Sequence, residues 1–304
     1  MGELAALSAS GVWAMASLLF SRLGKVFTAL ALNWLKCVIA LLLMWVVLFV
    51  LEGRFWPESL GRRELVLLGV SGLVGLTLGD TVFFQALTRL GARRTLLFSA
   101  LSPPMTALLA VPILGEPVSL GLFLGMTLTL GGVVWVIFER QGGSDAFPAR
   151  DEAGGMTGAV KWGIFYAVAA AFCQASGNVL TKWGGAEITA LEISIIRLFF
   201  GVIGLTILIG CTRQIITTAV ALKEKKTFLL LVIATFLGSF LGIWLMNAGL
   251  RYTYVGIAST LSSTSPIFVL PLAYFFDKER LSLRSVLGAC VAVVGVAVLF
   301  LWPL

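Results

Sequence analysis

Three charged side chains stand several residues in from either end of apolar runs of this chain: Lys36, Asp80 and Arg197. A charge near the middle of a membrane helix costs about 2.5–3.5 kcal/mol on insertion scales, so each must face protein or water and find a partner. Lys36 and Asp80 lie at similar depth in consecutive runs that would pack antiparallel, so they are expected to form an ion pair. That pair is either structural or part of the wall of a polar chamber. The chain has no histidine, so any proton it carries needs a carboxylate, and Asp80 is the first candidate. Arg197 has no matching acid in its own half of the chain. It either snorkels to the interface and caps carbonyls, or offers its planar fork to a carboxylate or phosphate.

Two further clusters carry hydroxyls and proline inside apolar sequence. Ser99, Ser102, Pro103, Pro104 and Thr106 form one; Ser259, Thr260, Ser262, Ser263, Thr264, Ser265 and Pro266 form the other. Proline inside a helix removes a hydrogen bond and bends it, so Pro103, Pro104 and Pro266 are expected to mark hinges. The hydroxyls either bond back to their own helix or line a wet cavity that also satisfies the freed carbonyls. Gln174 and Asn178 lie one helical turn apart, Ser10, Trp13 and Ser17 share another helical face, and Gln85 and Asn247 stand at matching positions. Amides and hydroxyls of this kind glue helices together or touch a ligand. Trp13, Trp244 and Tyr252 are either aromatic walls or anchors at the lipid interface.

The elements that must hold these residues are apolar helices. Of 304 residues, 59% are hydrophobic and 12% are charged, against about a quarter charged in soluble domains. Ten apolar segments can be drawn: Leu4–Phe20, Ala29–Leu51, Leu65–Leu87, Thr95–Leu114, Leu120–Phe138, Val160–Leu180, Ala190–Gly210, Phe228–Leu250, Gly256–Phe276 and Ser285–Leu301. Segments near the length of a bilayer crossing read as helices, which satisfy their own backbone in lipid. The sequence also repeats: Arg22 answers Lys182, Lys36 answers Arg197, Gly79 answers Gly242 and Gln85 answers Asn247. Further along, Arg89 matches Arg251, Pro104 matches Pro266, Glu116 matches Glu279, Gly125 matches Gly288 and Gly132 matches Gly295. The expected fold is all-α and membrane-integral, with ten helices in two five-helix units, 1–140 and 159–304, joined by a polar linker over 141–158. Five is odd, so the second unit starts on the opposite face and the two copies are inverted, an arrangement associated with alternating access.

The stretch SxxSPxFxxPLAxxxxxERLSLRxxLGAxxxVxGV over Ser262–Val296 resembles the EamA domain of the drug/metabolite transporter superfamily. The first half, with its SPP, GE and GG pattern and Gly79-Asp80-Thr81, resembles the same domain. That resemblance implies a ten-helix transporter. Its central cavity would be lined mainly by the first, third and fourth helices of each half, with the last helices serving packing. It also implies termini on the cytoplasmic side. The cation balance points the other way, since the connectors on the opposite face hold more lysine and arginine, among them Arg22, Lys25, Arg93, Arg94, Arg140, Lys223, Lys225 and Lys226.

The function expected is secondary active transport of a small organic metabolite, in the direction of export. Amino acids and related amphipathic compounds are the substrates the resemblance implies. The alternative is flipping of a lipid or lipid-linked carrier, which would need an apolar lateral opening. Substrate-contact candidates are Trp13, Ser17, Lys36, Asp80, Gln85, Ser99, Ser102, Gln174, Asn178, Arg197, Trp244, Asn247, Ser262 and Ser263. No GxxxxGK[ST] motif and no histidine occur, so neither a cofactor nor a metal is expected, and enzyme activity is not. The partners expected are the substrate, the bilayer of an inner cell membrane, and protons or a counter-substrate. Nucleic acid is not among them, and the chain is read as a monomer or homodimer. The cysteines Cys37, Cys173, Cys211 and Cys290 have no metal-like spacing.

Overall fold

The computed structural model describes residues 1–24, 26–57, 60–116, 119–139, 158–212, 224–265, 267–268 and 283–301. Among them every regular element is helical. The first half holds α1 (Gly2–Leu23), α2 (Ala29–Glu52), α3 (Arg62–Ser71), a π-helical stretch (Gly72–Gly79), α4 (Asp80–Ser99), α5 (Ser102–Leu114) and α6 (Leu120–Glu139). The second holds α7 (Gly158–Gly184), α8 (Ala190–Cys211), α9 (Lys225–Thr235), a second π-helical stretch (Phe236–Leu241), α10 (Gly242–Tyr252), α11 (Val255–Ser262) and α12 (Leu283–Leu301).

Five of these stretches are long and apolar enough to cross a membrane: Ala29–Glu52, Arg62–Ala86, Val160–Gly184, Ala190–Cys211 and Lys225–Tyr252. Shorter apolar helices cover Ser102–Leu114, Leu120–Trp135 and Leu287–Leu299. Local signals start and stop them. The Thr28 hydroxyl caps α2 by accepting from Ala31 N–H, and Gly53 ends it in the left-handed region at φ 70°. A capping box between Thr189 and Glu192 opens α8.

Helices pack across the halves in antiparallel pairs. Ala6 touches Gly249, and Trp13 lies against Gly242, so α1 runs against α10. The same pattern joins α7 to the third span: Gly163 meets Leu90, Gly177 meets Gly75, and Gly184 meets Leu67. Trp34 Nε1 donates to Thr206 Oγ1 at 3.0 Å, while Trp45 and Phe199 meet with ring centroids 6.4 Å apart, so α2 opposes α8. The tightest seam joins α6 and α12. A methyl at Gly125 would lie 2.6 Å from Leu299 Cγ, and one at Gly132 would collide with Ala292 and the Gly288 carbonyl. The largest core gathers α2, α8 and the third span of the second half, with Met44, Leu48, Leu198 and Leu231 fully buried.

Two features differ from the sequence expectation. A fourth span over Thr95–Leu114 is not continuous, because α4 runs on to Ser99, a turn covers Ala100–Leu101, and α5 begins at Ser102. Pro103 and Pro104 therefore do not bend a helix interior. They occupy the first turn of α5, where a missing N–H leaves no bond unmade. The proline inside α5 is Pro112. The linker 141–157, Pro266 and Glu279 lie outside the described residues.

Candidate functional site

The third span of each half is wound in π geometry where the polar residues gather. A π stretch leaves carbonyls off the regular ladder, and in an apolar interior they need donors from elsewhere. Asn33 of α2 supplies one, its Nδ2 donating to Leu76 O at 2.9 Å and to Thr81 Oγ1 at 3.2 Å. Trp13 of α1 supplies another, its Nε1 donating to Gly238 O at 2.7 Å. Trp13 is half-buried, and its indole N–H is spent on the π stretch. Asp80 follows the first π stretch directly, and its carboxylate accepts from Lys36 Nζ at 2.6 Å. The side chains are 10% and 21% exposed for Lys36 and Asp80, and the ammonium lies 5.3 Å from the centre of the Phe84 ring.

Arg197 does not snorkel. It is 4% exposed and stands on α8 against the first π stretch. Its Nη1 donates to Asn247 Oδ1 at 2.7 Å, and Asn247 Nδ2 donates to Ser194 Oγ at 2.7 Å. Asn247 sits one turn beyond Ile243, the repeat equivalent of Asp80, so an amide takes the place an acid holds in the first half. Among the described residues, Arg197 Nε and Gln174 Oε1 are buried without a hydrogen-bond partner. The Arg197 guanidinium, through Nη2, and the Gln174 amide oxygen border Gly75. A methyl there would lie 3.2 Å from Arg197 Nη2 and 3.8 Å from Gln174 Oε1, so the bare glycine leaves these groups room.

The other candidates divide. Asn178 is buried one turn beyond Gln174 on α7. Gln85 and Ser99 are half-buried on α4, and Ser102 is buried at the start of α5 with its hydroxyl unpartnered among the described residues. Ser262 and Ser263 both donate to Ser259 O, at 2.8 and 3.0 Å, so those hydroxyls serve their own helix. Ser17 is exposed and donates to Ala14 O. Trp244 packs on Phe240 with centroids 5.8 Å apart.

The EamA-like transporter family matches residues 1–138 and 161–301, which leaves only the linker and the last residues uncovered. The chain belongs to the EamA-like transporter family. An "Uncharacterized transporter" of Archaeoglobus fulgidus is 26% identical over 308 residues, spanning 99% of this chain and 98% of that protein. The "Uncharacterized transporter YetK" of Bacillus subtilis is 28% identical over 150 residues, 49% of this chain and 44% of its own. A solved structure titled "Crystal structure of protein" superposes with a TM-score of 0.75 at 17% identity, covering 99% of this chain and 96% of the other, which establishes a shared fold. The chain is accordingly a multi-pass membrane protein of a transporter family.

In this EamA-family chain a second polar group gathers at one end of the bundle, and reading the sequence did not single it out. A crevice of about 500 Å³ is lined there by Glu3, Glu116, Lys182, Arg251, Tyr252 and Tyr254. Lys182 Nζ donates to Arg251 O at 3.1 Å and Thr253 O at 2.8 Å, and Thr253 Oγ1 donates to Glu3 Oε1 at 2.7 Å. Arg251 donates to Ile188 O and lies over the Tyr252 ring. The Glu116 carboxyl accepts from Val255 N–H at 2.9 and 3.1 Å. Burial pushes its proton affinity above the ordinary carboxylate range, against the pull of the Val255 and Gly256 amides and the Lys182 charge. The duplicated glutamate after the fourth span, Glu116 with Glu279, was the available signal, but a glutamate beside a turn reads first as solvated.

Proposed function

We propose that this protein is a secondary active transporter that exports a small organic metabolite across an inner cell membrane by alternating access. The observation that carries the reading is the buried Arg197 guanidinium beside Gln174: Arg197 Nε and Gln174 Oε1 have no hydrogen-bond partner among the described residues, and the guanidinium, through Nη2, and the amide oxygen both border the bare Gly75. A guanidinium edge suits a carboxylate, and an amide oxygen suits an amine or hydroxyl donor. That combination fits an amphipathic metabolite such as an amino acid or a relative of one. Lys36 and Asp80 balance each other nearby, and Asp80 is the candidate for proton exchange.

Two five-helix copies, inverted about an axis in the membrane plane, fit the packing. Gly79 faces Cys173 and Gly242 faces Trp13, two contacts that exchange under the sequence repeat. In the same way, Gly125 meets Gly295 while Gly132 meets Gly288. Both third spans carry π geometry at matching depth. Transport by rocking of one copy against the other follows from such symmetry.

A thermal-stability screen of the purified protein against a metabolite library tests the reading. Carboxylate-bearing amphipathic compounds should raise the melting temperature. In Arg197→Gln their affinity should drop about tenfold, the scale of one lost charged hydrogen bond, while neutral ligands change little. Asp80→Asn should keep binding and lose the dependence of vesicle uptake on a pH gradient. A library without a stabilising compound, together with vesicles that exchange none, would remove the transport assignment.

A further inference from the structure

The fourth helices of the two halves, α5 and α11, touch along a short seam. The Thr106 and Ser259 hydroxyls are 3.3 Å apart, and a methyl at Gly256 would lie 3.4 Å from Ala107 Cβ. Small side chains meet at these points, beside an apolar cluster shared by Ala110 of α5 and Val255, Ile257 and Leu261 of α11. The bonds at the end of the seam add a polar tie to that packing. Gly115 turns the chain after α5 with φ 66°, which sets Glu116 over the start of α11. Val255 is the first helical residue of α11, and its N–H has no acceptor within that helix. Both Glu116 oxygens lie within hydrogen-bond distance of it. Glu116 belongs to the first half and Val255 to the second, so this contact ties the two halves together. The Glu3–Thr253 bond adds a second tie at the same end, and Lys182 braces the same loop from α7.

We infer that Glu116 is a latch that holds the α5–α11 seam closed on the face where α1 begins, and that this face opens only when Glu116 leaves the α11 N-terminus. The inference rests on the alternating-access reading and names the positioning residue that regulates entry to that site. Among the described residues, the hydrogen bonds of Glu116 go to the Val255 N–H. It acts through the backbone of α11.

Thiol protection measures the latch without any substrate. Ser259 is 2% exposed at the seam, and Ser259→Cys changes its size little. In purified full-length protein in lipid vesicles, that thiol should react with maleimide only when the seam parts. Its rate is read by peptide mass spectrometry against the exposed native Cys211. Glu116→Ala in that background should speed the reaction about tenfold, the weight of one charge-assisted hydrogen bond. Val255→Pro should do the same. Proline is at home at the first helical position, and Tyr254 already has the φ of −64° and ψ of 140° that a residue before proline adopts. Glu116→Gln keeps an acceptor oxygen and should stay near the parent rate. Unchanged rates in both Glu116→Ala and Val255→Pro would overturn the latch. So would an equal acceleration at the buried Cys37 in α2, which would signal general loosening. Vesicles that transport no metabolite while the Ser259→Cys thiol responds as described would cost the transport reading and leave the latch standing.

Discussion

At the scale of single residues, the sign of the Glu116 titration makes a prediction of its own. Its carboxyl holds a proton more tightly in the latched form than a hydrated glutamate would. A group of that kind favours the latched form while protonated. That contribution is full below the ordinary carboxylate range and fades as pH climbs through the raised value. A neutral carboxyl still accepts from Val255 through its carbonyl oxygen, so protonation leaves the hydrogen bond in place and removes the penalty for burying a charge. The seam should therefore part more readily as pH rises from acid toward neutral. Ser259→Cys reactivity, scaled to Cys211, should climb across that window in the parent and stay flat in Glu116→Gln. The groups facing the same crevice are Glu3, Lys182, Arg251, Tyr252 and Tyr254. Glu3 is the other carboxylate among them, so Glu3→Gln is the control, and the slope should survive in it.

The same scale shows what residue types alone could and could not say. Lys36 and Asp80 could be matched because each is costly in lipid and the other stood at the right depth. The Arg197 partner was harder to read, because an asparagine carries no charge to flag it and the equivalent of Asp80 is an isoleucine. Trp13 stood open between aromatic wall and interfacial anchor, because the π-helical carbonyl that takes its N–H leaves no mark in the sequence.

At the scale of elements, the α6–α12 seam is the place where size alone decides packing. Adding a methyl at Gly132 or Gly295 would drive it into backbone of the facing helix. Overpacking of that kind costs about 1–3 kcal/mol. Gly132→Ala and Gly295→Ala should therefore lower the melting temperature of the purified protein clearly. Gly131→Ala, with open space around its added methyl, should leave the melting temperature unchanged. Helix existence was legible from hydropathy, because a run of apolar residues near bilayer length has few other folds open to it. The break between α4 and α5 was not. Thr95–Leu114 is continuously tolerable as helix, and the two prolines that mark the break can equally bend a helix or begin one.

At the scale of the whole molecule, the repeat was visible as matching glycines, prolines and charges, but how the copies meet was not, because pairing is chosen by surfaces far apart in sequence. The antiparallel contacts of α1 with α10 and of α7 with the third span now define those surfaces. The proposed odd number of crossings per copy has a direct consequence for topology. A cysteine in a short tag ahead of Met1 and a second at Ser144→Cys in the linker should react with a membrane-impermeant maleimide from opposite sides of sealed vesicles. Reaction from one side only would contradict the five-plus-five arrangement.

The π stretches carry a mechanical meaning. Each stores a surplus residue in the helix beneath Asp80 or Gly242. Expelling that surplus would restore α geometry and turn everything beyond it by about 100°, the sweep of one residue in an α-helix. A rotation of that size would carry the Asp80 carboxylate off Lys36, and in the second half would swing Asn247 from Arg197. Under the proposed alternating access, slack of this kind would be a quarter-turn held in both third spans alike, by which polar partners would exchange without either helix being pulled out of the membrane.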